Sequence, residues 1–290
     1  MKKLIIILSA IVIVVDGYGQ VGEKRPMSDT QTRGVVKLLE TMTHGNGSSV
    51  RFEYDDKNRI AKMSHYDSRG NLSRIQTFTY NEGDTIVTIT SISENHPLRD
   101  GEKTRQTSSH LVKNGDTITS HSHTIVSKDL YITEITIVDK DGFTTWRKIP
   151  PRMWSDGTTT EVRTYHYQNG NLTEIRGVTK YDSERHSIWR TELKYDNKKS
   201  PLFYCKTPRW LLQSFLFSER FGLNNNIIEW NTIIESNPVD VIKWPEHYAF
   251  NYEYDSDGFP IKRTLVQTTA DNRTITVITH FTYQSQTKKP

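Results

Sequence analysis

Apolar and polar residues alternate with a period of two along most of this 290-residue chain. The clearest segment runs from Arg273 to Tyr283, where Ile275, Val277 and Phe281 fall on one face and threonines fall on the other. Such alternation is typical of a β-strand with one buried face. Short turn signals rich in Asn, Asp and Gly separate these segments. The pattern therefore predicts an antiparallel meander of about fourteen strands.

A tyrosine-led phrase recurs where these segments end. Each copy joins an aromatic strand end to a polar turn with Asn or Gly, and then to a new apolar strand start. The copies begin at Tyr54, Tyr66, Tyr167, Tyr195 and Tyr254. A repeated hairpin unit predicts an all-β fold, a large antiparallel meander of hairpin repeats that either curls or closes into a barrel-like sheet.

Two regions near the start and middle of the chain depart from the alternation. Residues 20–48 form a polar leader, in which the apolar spacing from Gly34 to Thr43 predicts a short helix. Ile149-Pro150-Pro151 predicts a bend or a long surface loop near 150–154, because proline cannot donate to a strand ladder. Residues 49–290 are otherwise expected to form a single repeat-built β domain.

A third region is apolar on every side. The run from Trp210 to Phe217 has no polar face and is too short to span a membrane as a helix. We therefore expect a short helical plug near 208–220, packed against the sheet.

The first residues have the three parts of a secretory signal peptide. Lys2-Lys3 are followed by an apolar run from Leu4 to Val15 and by small residues at Gly17 and Gly19. This pattern predicts a signal peptide over residues 1–19 and export to the periplasm or the cell surface, with no membrane span in the mature chain.

Three C-terminal stretches carry a resemblance to known proteins. Leu193–Leu202, Asn224–Trp230 and Tyr252–Pro260, in that order around the apolar interruption, resemble exported bacterial proteins of unknown function with a porin-like β-architecture. The shorter tyrosine-led phrases also look like the YD repeats of Rhs-type surface and toxin proteins. The resemblance implies a fold and an envelope location, but it brings no catalytic residues.

Composition excludes some classes of function. The formal net charge of +4 is mild and spread along the chain, without a basic stripe, so no nucleic-acid partner is expected. Cys205 is the single cysteine, so no internal disulfide can form, and a buried structural thiol is expected there.

Motifs for catalysis or for cofactors are missing from the sequence. It contains no nucleophile elbow, zinc-protease helix or phosphate loop, so no enzyme activity and no cofactor are predicted. His121 and His123 would share one strand face, within reach of His110 on a hairpin partner. Since zinc sites need three or four convergent ligands, a solvated polar face is the favoured interpretation, and no metal site is predicted.

The tryptophans provide the remaining candidates for a site. Trp146 and Trp154 flank the proline pair, and Trp210 begins the apolar run. Aromatic residues in insertions at a sheet edge suit the binding of sugar rings or peptides. We therefore expect Trp146, Trp154 and Trp210 to form a ligand-binding site for an envelope glycan or peptide. The alternative is that they fill the core.

Three functions stay open at this point. The leading one is an exported, non-enzymatic binding or structural protein of the cell envelope. The alternatives are a secreted glycan-acting hydrolase and an outer-membrane barrel. Strands such as Glu161–Tyr167 and Trp189–Tyr195 place charges on both faces, which speaks against the continuous apolar band that lipid contact requires.

Overall fold

The computed structural model describes residues 36–286 with eight gaps: residue 82 and residues 95–103, 125–126, 155–156, 182–184, 214–219, 237–246 and 270–272. The predicted signal peptide lies outside the described residues, as does most of the leader, so export stays a prediction.

The described residues form sixteen β-strands, two more than the turn signals predict. All pair antiparallel with their sequence neighbours, and β1 also pairs with β16, so the meander is a closed barrel. The strands are β1 (Val36–His44), β2 (Ser49–Tyr54), β3 (Ile60–Tyr66), β4 (Leu72–Tyr80), β5 (Ile86–Glu94), β6 (Thr104–Asn114), β7 (Thr117–Thr124), β8 (Ser127–Val138), β9 (Thr144–Trp154), β10 (Gly157–Gln168), β11 (Asn171–Lys180), β12 (His186–Lys199), β13 (Asn225–Ser236), β14 (His247–Tyr254), β15 (Pro260–Thr268) and β16 (Thr274–Gln286).

One turn geometry recurs four times in the tyrosine-led phrases and their relatives. In the turn after β8, the carboxylate of Asp139 accepts hydrogen bonds from the main-chain N–H groups of Asp141 and Phe143, both at 2.9 Å. Gly142 has a φ of 80°, which glycine adopts without steric cost. Asp55, Asp67 and Asp255 make the same pair of bonds in their own turns. The aspartate of the phrase is therefore a turn-forming residue.

The tyrosines of six strands have a second repeated role. Each hydroxyl donates to a main-chain carbonyl near the start of the preceding strand, at 2.7–2.9 Å. The donors are Tyr54, Tyr80, Tyr167, Tyr195, Tyr252 and Tyr283, which lie on β2, β4, β10, β12, β14 and β16. Burial raises the pKa of all six hydroxyls, so they stay protonated donors.

The connection between β12 and β13 fills one end of the barrel, which we call the plug end. A short helix, α1, covers 209–213 within its described part, as the apolar run predicts. Leu202, Trp210, Leu211, Leu212 and Phe221 belong to one buried cluster with inward residues of strands β1–β8 and β16. We call residues 200–213 and 220–224 the plug segment.

A second buried cluster lies beneath β10–β15. Its members are Tyr165, Leu172, Ile175, Leu193, Ile227, Tyr248, Phe250 and Leu265. Between them, the Trp189 ring lies over Gly177 on the neighbouring strand, where a Cβ atom would overlap the ring. The interior is thus a packed core on both sides of the plug segment.

The predicted helix from Gly34 to Thr43 is wrong, because residues 36–44 form strand β1. The register of β1 against β16 shifts between Leu39 and Thr41. This β-bulge at Glu40 lets Leu39 and Met42 both face the core, although they are three residues apart. A bulged strand thus reproduces the apolar spacing of a helix, and the barrel begins at Val36 rather than at 49.

Of the bend or long surface loop expected near 150–154, the loop is wrong, because β9 continues through Pro150 and Pro151. On β10, Thr159 pairs with Arg152 and Glu161 pairs with Ile149. The two prolines therefore lie opposite the single residue Thr160 in a bulge, where their missing N–H groups interrupt no ladder bond.

Within the described residues, no helix is long and apolar enough to cross a membrane.

Candidate functional site

A groove opens at the plug end, between the plug segment and three hairpin turns. It encloses about 510 Å³, a volume in the range of small-molecule sites. We call it the plug-end groove. Its lining residues are Gly83, Asp84, Thr85, Lys113, Gly115, Lys140, Asp141, Gly142, Lys206, Pro208, Arg209 and Trp210.

Hydrogen bonds within the hairpin turns stabilise the side of the groove that these turns form. The side chain of Asn81 accepts from the N–H groups of Thr85 and Ile86, at 2.8 and 2.9 Å. The N–H of Lys113 donates to the carbonyl of Thr85 at 2.6 Å, which joins the end of β6 to this turn. The Asp139 turn forms the third side.

Polar contacts attach the plug segment to strands on two sides of the groove. Thr207 accepts from the N–H of Ile60 at 2.7 Å, and the N–H of Lys206 donates to the carbonyl of Asn58 at 2.9 Å. On the other side, the Gln213 side chain accepts from the N–H of Thr144 at 2.8 Å. The inner wall of the groove is therefore fixed to the barrel rather than loosely inserted.

Cations outnumber carboxylates in the lining of the groove. Four of the lining residues are basic, namely Lys113, Lys140, Lys206 and Arg209, and two are acidic, namely Asp84 and Asp141. The carboxylate of Asp84 is engaged by Arg59, which reduces its influence on the groove.

Arg209 is oriented by an aromatic contact. Its guanidinium lies over the ring of Phe143, 4.5 Å from the centroid, which restricts the cation to this side of the groove. Phe143 is itself buried as the last residue of the Asp139 turn. The same turn thus positions both Asp141 and, through Phe143, Arg209.

Trp210 separates the groove from a polar cavity inside the barrel. This cavity holds about 30 Å³, room for about one water molecule. Glu134, Arg147 and Tyr165 line it, and Arg147 Nε lies 2.6 Å from Glu134 Oε1. Burial acts to lower the pKa of Arg147, but the hydrogen bond and charge of Glu134 outweigh burial and raise it. The two charges therefore form a half-buried ion pair.

The structure separates the tryptophans that the sequence groups together. Trp210 is buried, with 6% of its surface exposed, and lines the plug-end groove. Trp146 pairs with Ile137 and Thr164 on β9, on the opposite face of that strand from Arg147. It therefore faces outward and does not share the groove with Trp210. The side chain of Trp154 lies outside the described residues, so a ligand-binding role for the three tryptophans stays a prediction.

The described histidines of the group that the sequence places on one strand face, His110 and His121, lie on the outside of the barrel. His110 and His121 are directly paired across β6 and β7, and His110 Nδ1 lies 2.9 Å from Thr88 Oγ1. The side chain of His123 lies outside the described residues. Among the described side chains, no group of three or more His, Cys, Asp or Glu residues could hold a metal ion.

Cys205 lies half-buried against the buried cluster that contains Leu202 and Trp210, and its Sγ is 3.3 Å from Thr207 Oγ1. Burial raises the pKa of the thiol, so it resists ionisation. The expected structural role fits this placement.

The four basic groove residues were missed by sequence reasoning. They are spread over 97 positions, from Lys113 to Arg209, and only the path of the plug segment into this end of the barrel brings them together. The one available signal was that each lies in, or directly beside, a predicted turn or the apolar interruption.

Comparisons with known proteins give only distant structural likenesses. No family model matches the chain, and no curated protein matches it. It is similar to the crystal structure of a porin-like protein from Bacteroides vulgatus, with 13% identity over 85% of this chain and 99% of that chain and a TM-score of 0.40.

Two further likenesses are weaker. A porin-like protein from Bacteroides uniformis has 11% identity over 85% of this chain and 96% of that chain, with a TM-score of 0.33. The TcdB2-TccC3-TEV structure has 10% identity over 81% of this chain and 15% of that chain, with a TM-score of 0.26. The fold described above rests on the strand pairing of the chain itself.

Proposed function

We propose that this protein is an exported, non-enzymatic barrel of the cell envelope that works in water and binds a small ligand in the plug-end groove. The observation that carries the proposal is the groove itself, an opening of about 510 Å³ between three hairpin turns and a plug segment that is hydrogen-bonded to the barrel. Irregular insertions held on a regular scaffold commonly carry binding.

The outer wall supports contact with water rather than with lipid. Its described strands carry ion pairs away from their ends, including Arg176 with Glu174 at 2.8 Å and Lys194 with Glu229 at 2.9 Å. Arg190 of β12 also contacts Glu192 and Glu235. A lipid-facing Arg or Lys at the bilayer centre costs about 2–4 kcal/mol, so an outer-membrane position is disfavoured.

The interior carboxylates support binding without catalysis. Glu134 is paired with Arg147, and Glu161 is paired with Arg163, whose Nε lies 2.6 Å from Glu161 Oε1. A glycan hydrolase of the usual type needs one carboxylic acid and one carboxylate facing a shared opening. Neither glutamate lines the plug-end groove, and of the two carboxylates that do, Asp84 and Asp141, Asp84 is held in an ion pair with Arg59.

The location is tested by fractionation of the native host. We expect the mature protein in the detergent-free extract, and recovery only in detergent would contradict the proposal. N-terminal sequencing of the exported form should give a start at or near Gln20.

Ligand binding is tested by blocking the groove with a bulky side chain. A mixed array of neutral and charged envelope glycans and peptides would be probed with the parent and with Asp141→Trp. Asp141 is the third residue of its turn and lines the groove. Arg69→Trp is the matched control, because Arg69 has the same place in the Asp67 turn at the opposite end of the barrel.

Loss of an array signal in Asp141→Trp, with retention in Arg69→Trp, is the expected result. An array without any signal for the parent, or a signal that Asp141→Trp leaves intact, would refute binding in this groove.

A further inference from the structure

We infer that the ligand of the plug-end groove is a small polyanion, a molecule with two or more phosphate, sulfate or carboxylate groups. This inference rests on the proposed function and adds the chemical class of the ligand. The supporting observation is that the lysines around the groove lack ion-pair partners, whereas several lysines elsewhere on the barrel have them.

Three lysines of the outer wall are neutralised by neighbours across the strand pairs. Lys62 lies 3.0 Å from Glu53, Lys194 lies 2.9 Å from Glu229, and Lys262 lies 2.7 Å from Glu253. The cross-strand registers 53 with 62, 194 with 229 and 253 with 262 place these opposite charges side by side.

The lysines of the groove lack this arrangement. Within the described part of the chain, Lys113, Lys140 and Lys206 form no ion pair, although all three line one opening. Lys113 is the inward residue at the end of β6, paired with Ile118, in the place where β4 has the hydrogen-bonded Tyr80. β6 therefore presents a cation at the rim where six other strands present a tyrosine.

The remaining charges of the groove strengthen the bias toward anions. Arg209 is held over Phe143, so its planar donors are available at a fixed place for an oxygen ligand. Asp84 is occupied by Arg59, which leaves Asp141 as the carboxylate whose charge opposes an anion. Several like charges around one concave opening raise the local concentration of counter-charged ligands.

The size of the groove selects a small ligand over a macromolecule. About 510 Å³ admits a molecule of two or three sugar rings or a compact multiphosphate. The three anionic groups named here share one chemistry, charged oxygens that accept hydrogen bonds from Lys and Arg. The experiment uses one probe for each group, so it shows which of the three the groove binds.

The test is calorimetric titration of the full-length mature protein with four probes. These are inorganic pyrophosphate, a sulfated disaccharide, a trigalacturonate and neutral maltotriose, each at low ionic strength and at about 0.15 M salt. We expect at least one anionic probe to bind, more weakly at the higher salt, and maltotriose not to bind.

Substitutions at two groove lysines, with one control, test the residues. Lys113→Ala and Lys206→Ala are each expected to raise the dissociation constant of the bound anion about tenfold, because each removes one charged hydrogen bond. Lys113→Arg and Lys206→Arg should retain binding. Lys180→Ala, an exposed lysine on the outer wall, should leave it unchanged. Thermal unfolding of every variant verifies that the barrel is intact.

The outcomes separate this inference from the proposed function. Binding of maltotriose or another neutral ligand that Asp141→Trp blocks, without binding of anions, would overturn the polyanion inference and leave groove binding in place. Anion binding that Lys113→Ala and Lys206→Ala leave unchanged would also overturn it. Failure of all four probes refutes the polyanion inference, and failure of the whole array in addition refutes the proposed function.

Discussion

The hydroxyl of Tyr195 donates a 2.7 Å hydrogen bond to the main-chain carbonyl of Leu172. The acceptor lies at the start of β11 and the donor near the end of β12, so the bond ties the two ends of a hairpin together at the plug end. Five other tyrosines repeat this relationship around the barrel. The aromatic residue of the recurring phrase is thus a polar tie as well as a core residue.

Tyr195→Phe should destabilise the protein by about 1–2 kcal/mol, because the buried carbonyl of Leu172 loses its partner while the ring volume is retained. Chemical denaturation of parent and variant measures this difference. Tyr66→Phe is the matched control, since no described residue bonds the hydroxyl of Tyr66. An equal loss in both variants would mean that the ring substitution itself, rather than the tie, sets the cost.

Trp210→Asp should destabilise the barrel by at least about 3 kcal/mol, because it removes a large buried side chain and buries a charge. Trp146→Asp makes the same chemical change on the outward face of β9 and should cost less than half as much. Thermal and denaturant unfolding give both values. A Trp210→Asp protein that unfolds like the parent would show that the plug segment contributes little to the core.

Gly177→Ala should cost about 1–3 kcal/mol, since the added methyl group would overlap the ring of Trp189. Trp189→Leu removes the obstacle, so the double variant should lose much less than the sum of the single variants. A double-mutant cycle from urea denaturation measures this coupling. Additive losses would mean that the two residues do not contact each other.

Asp255→Asn should make stability less dependent on acid pH. Burial acts to raise the pKa of Asp255, but the hydrogen bond from Lys37 and those from the N–H groups of Phe259 and Asp257 lower it overall. The carboxylate therefore stabilises the fold above its unfolded pKa of about 3.9, and this contribution is lost as the pH falls through the lower folded pKa. Asparagine can still accept the turn hydrogen bonds, so the variant isolates the charge.

Unfolding midpoints across the pH range test this linkage. The parent should exceed Asp255→Asn at neutral pH, and the two curves should converge below about pH 3. Asp56→Asn, at an exposed position of another turn, should follow the parent throughout. A constant gap between parent and Asp255→Asn at all pH values would rule out the charge as its cause.

The antiparallel meander, the turns and the plug could be predicted because each is encoded locally. Period-two alternation shows which face of a strand is buried, and Asp followed by Gly or Asn marks the turn that joins two strands. The isotropic apolar run around Trp210 signals burial on all sides. These signals need no knowledge of distant residues.

The errors arise where a local pattern has two structural solutions. The spacing of Leu39 and Met42 fits a helix, but it also fits a strand with a bulge at Glu40. Pro150 and Pro151 end most strands, but a bulge opposite Thr160 accommodates them. In both places the pairing with a neighbouring strand determines that a bulged strand forms, and a local pattern does not contain that pairing.

The candidate groove could not be predicted for a different reason. Lys113 and Lys206 belong to distant segments, and only the path of the plug segment into one end of the barrel places them around one opening. Trp146 and Trp210 illustrate the converse. The sequence places each beside an interruption of the alternation, but β9 is continuous and its pleat turns Trp146 away from the interior, whereas Trp210 lines the groove.

The pairing of β1 with β16 has a consequence for how the protein reaches its folded state. His44 contacts Thr279 across 235 positions of sequence, so β1 gains its second neighbour only when β16, the last strand, reaches it. Until then, both strands present unpaired main-chain groups that can recruit other chains. Contacts of such long separation are slow to form. Refolding should therefore be limited by this final closure, and aggregation during refolding should fall steeply as the protein is diluted.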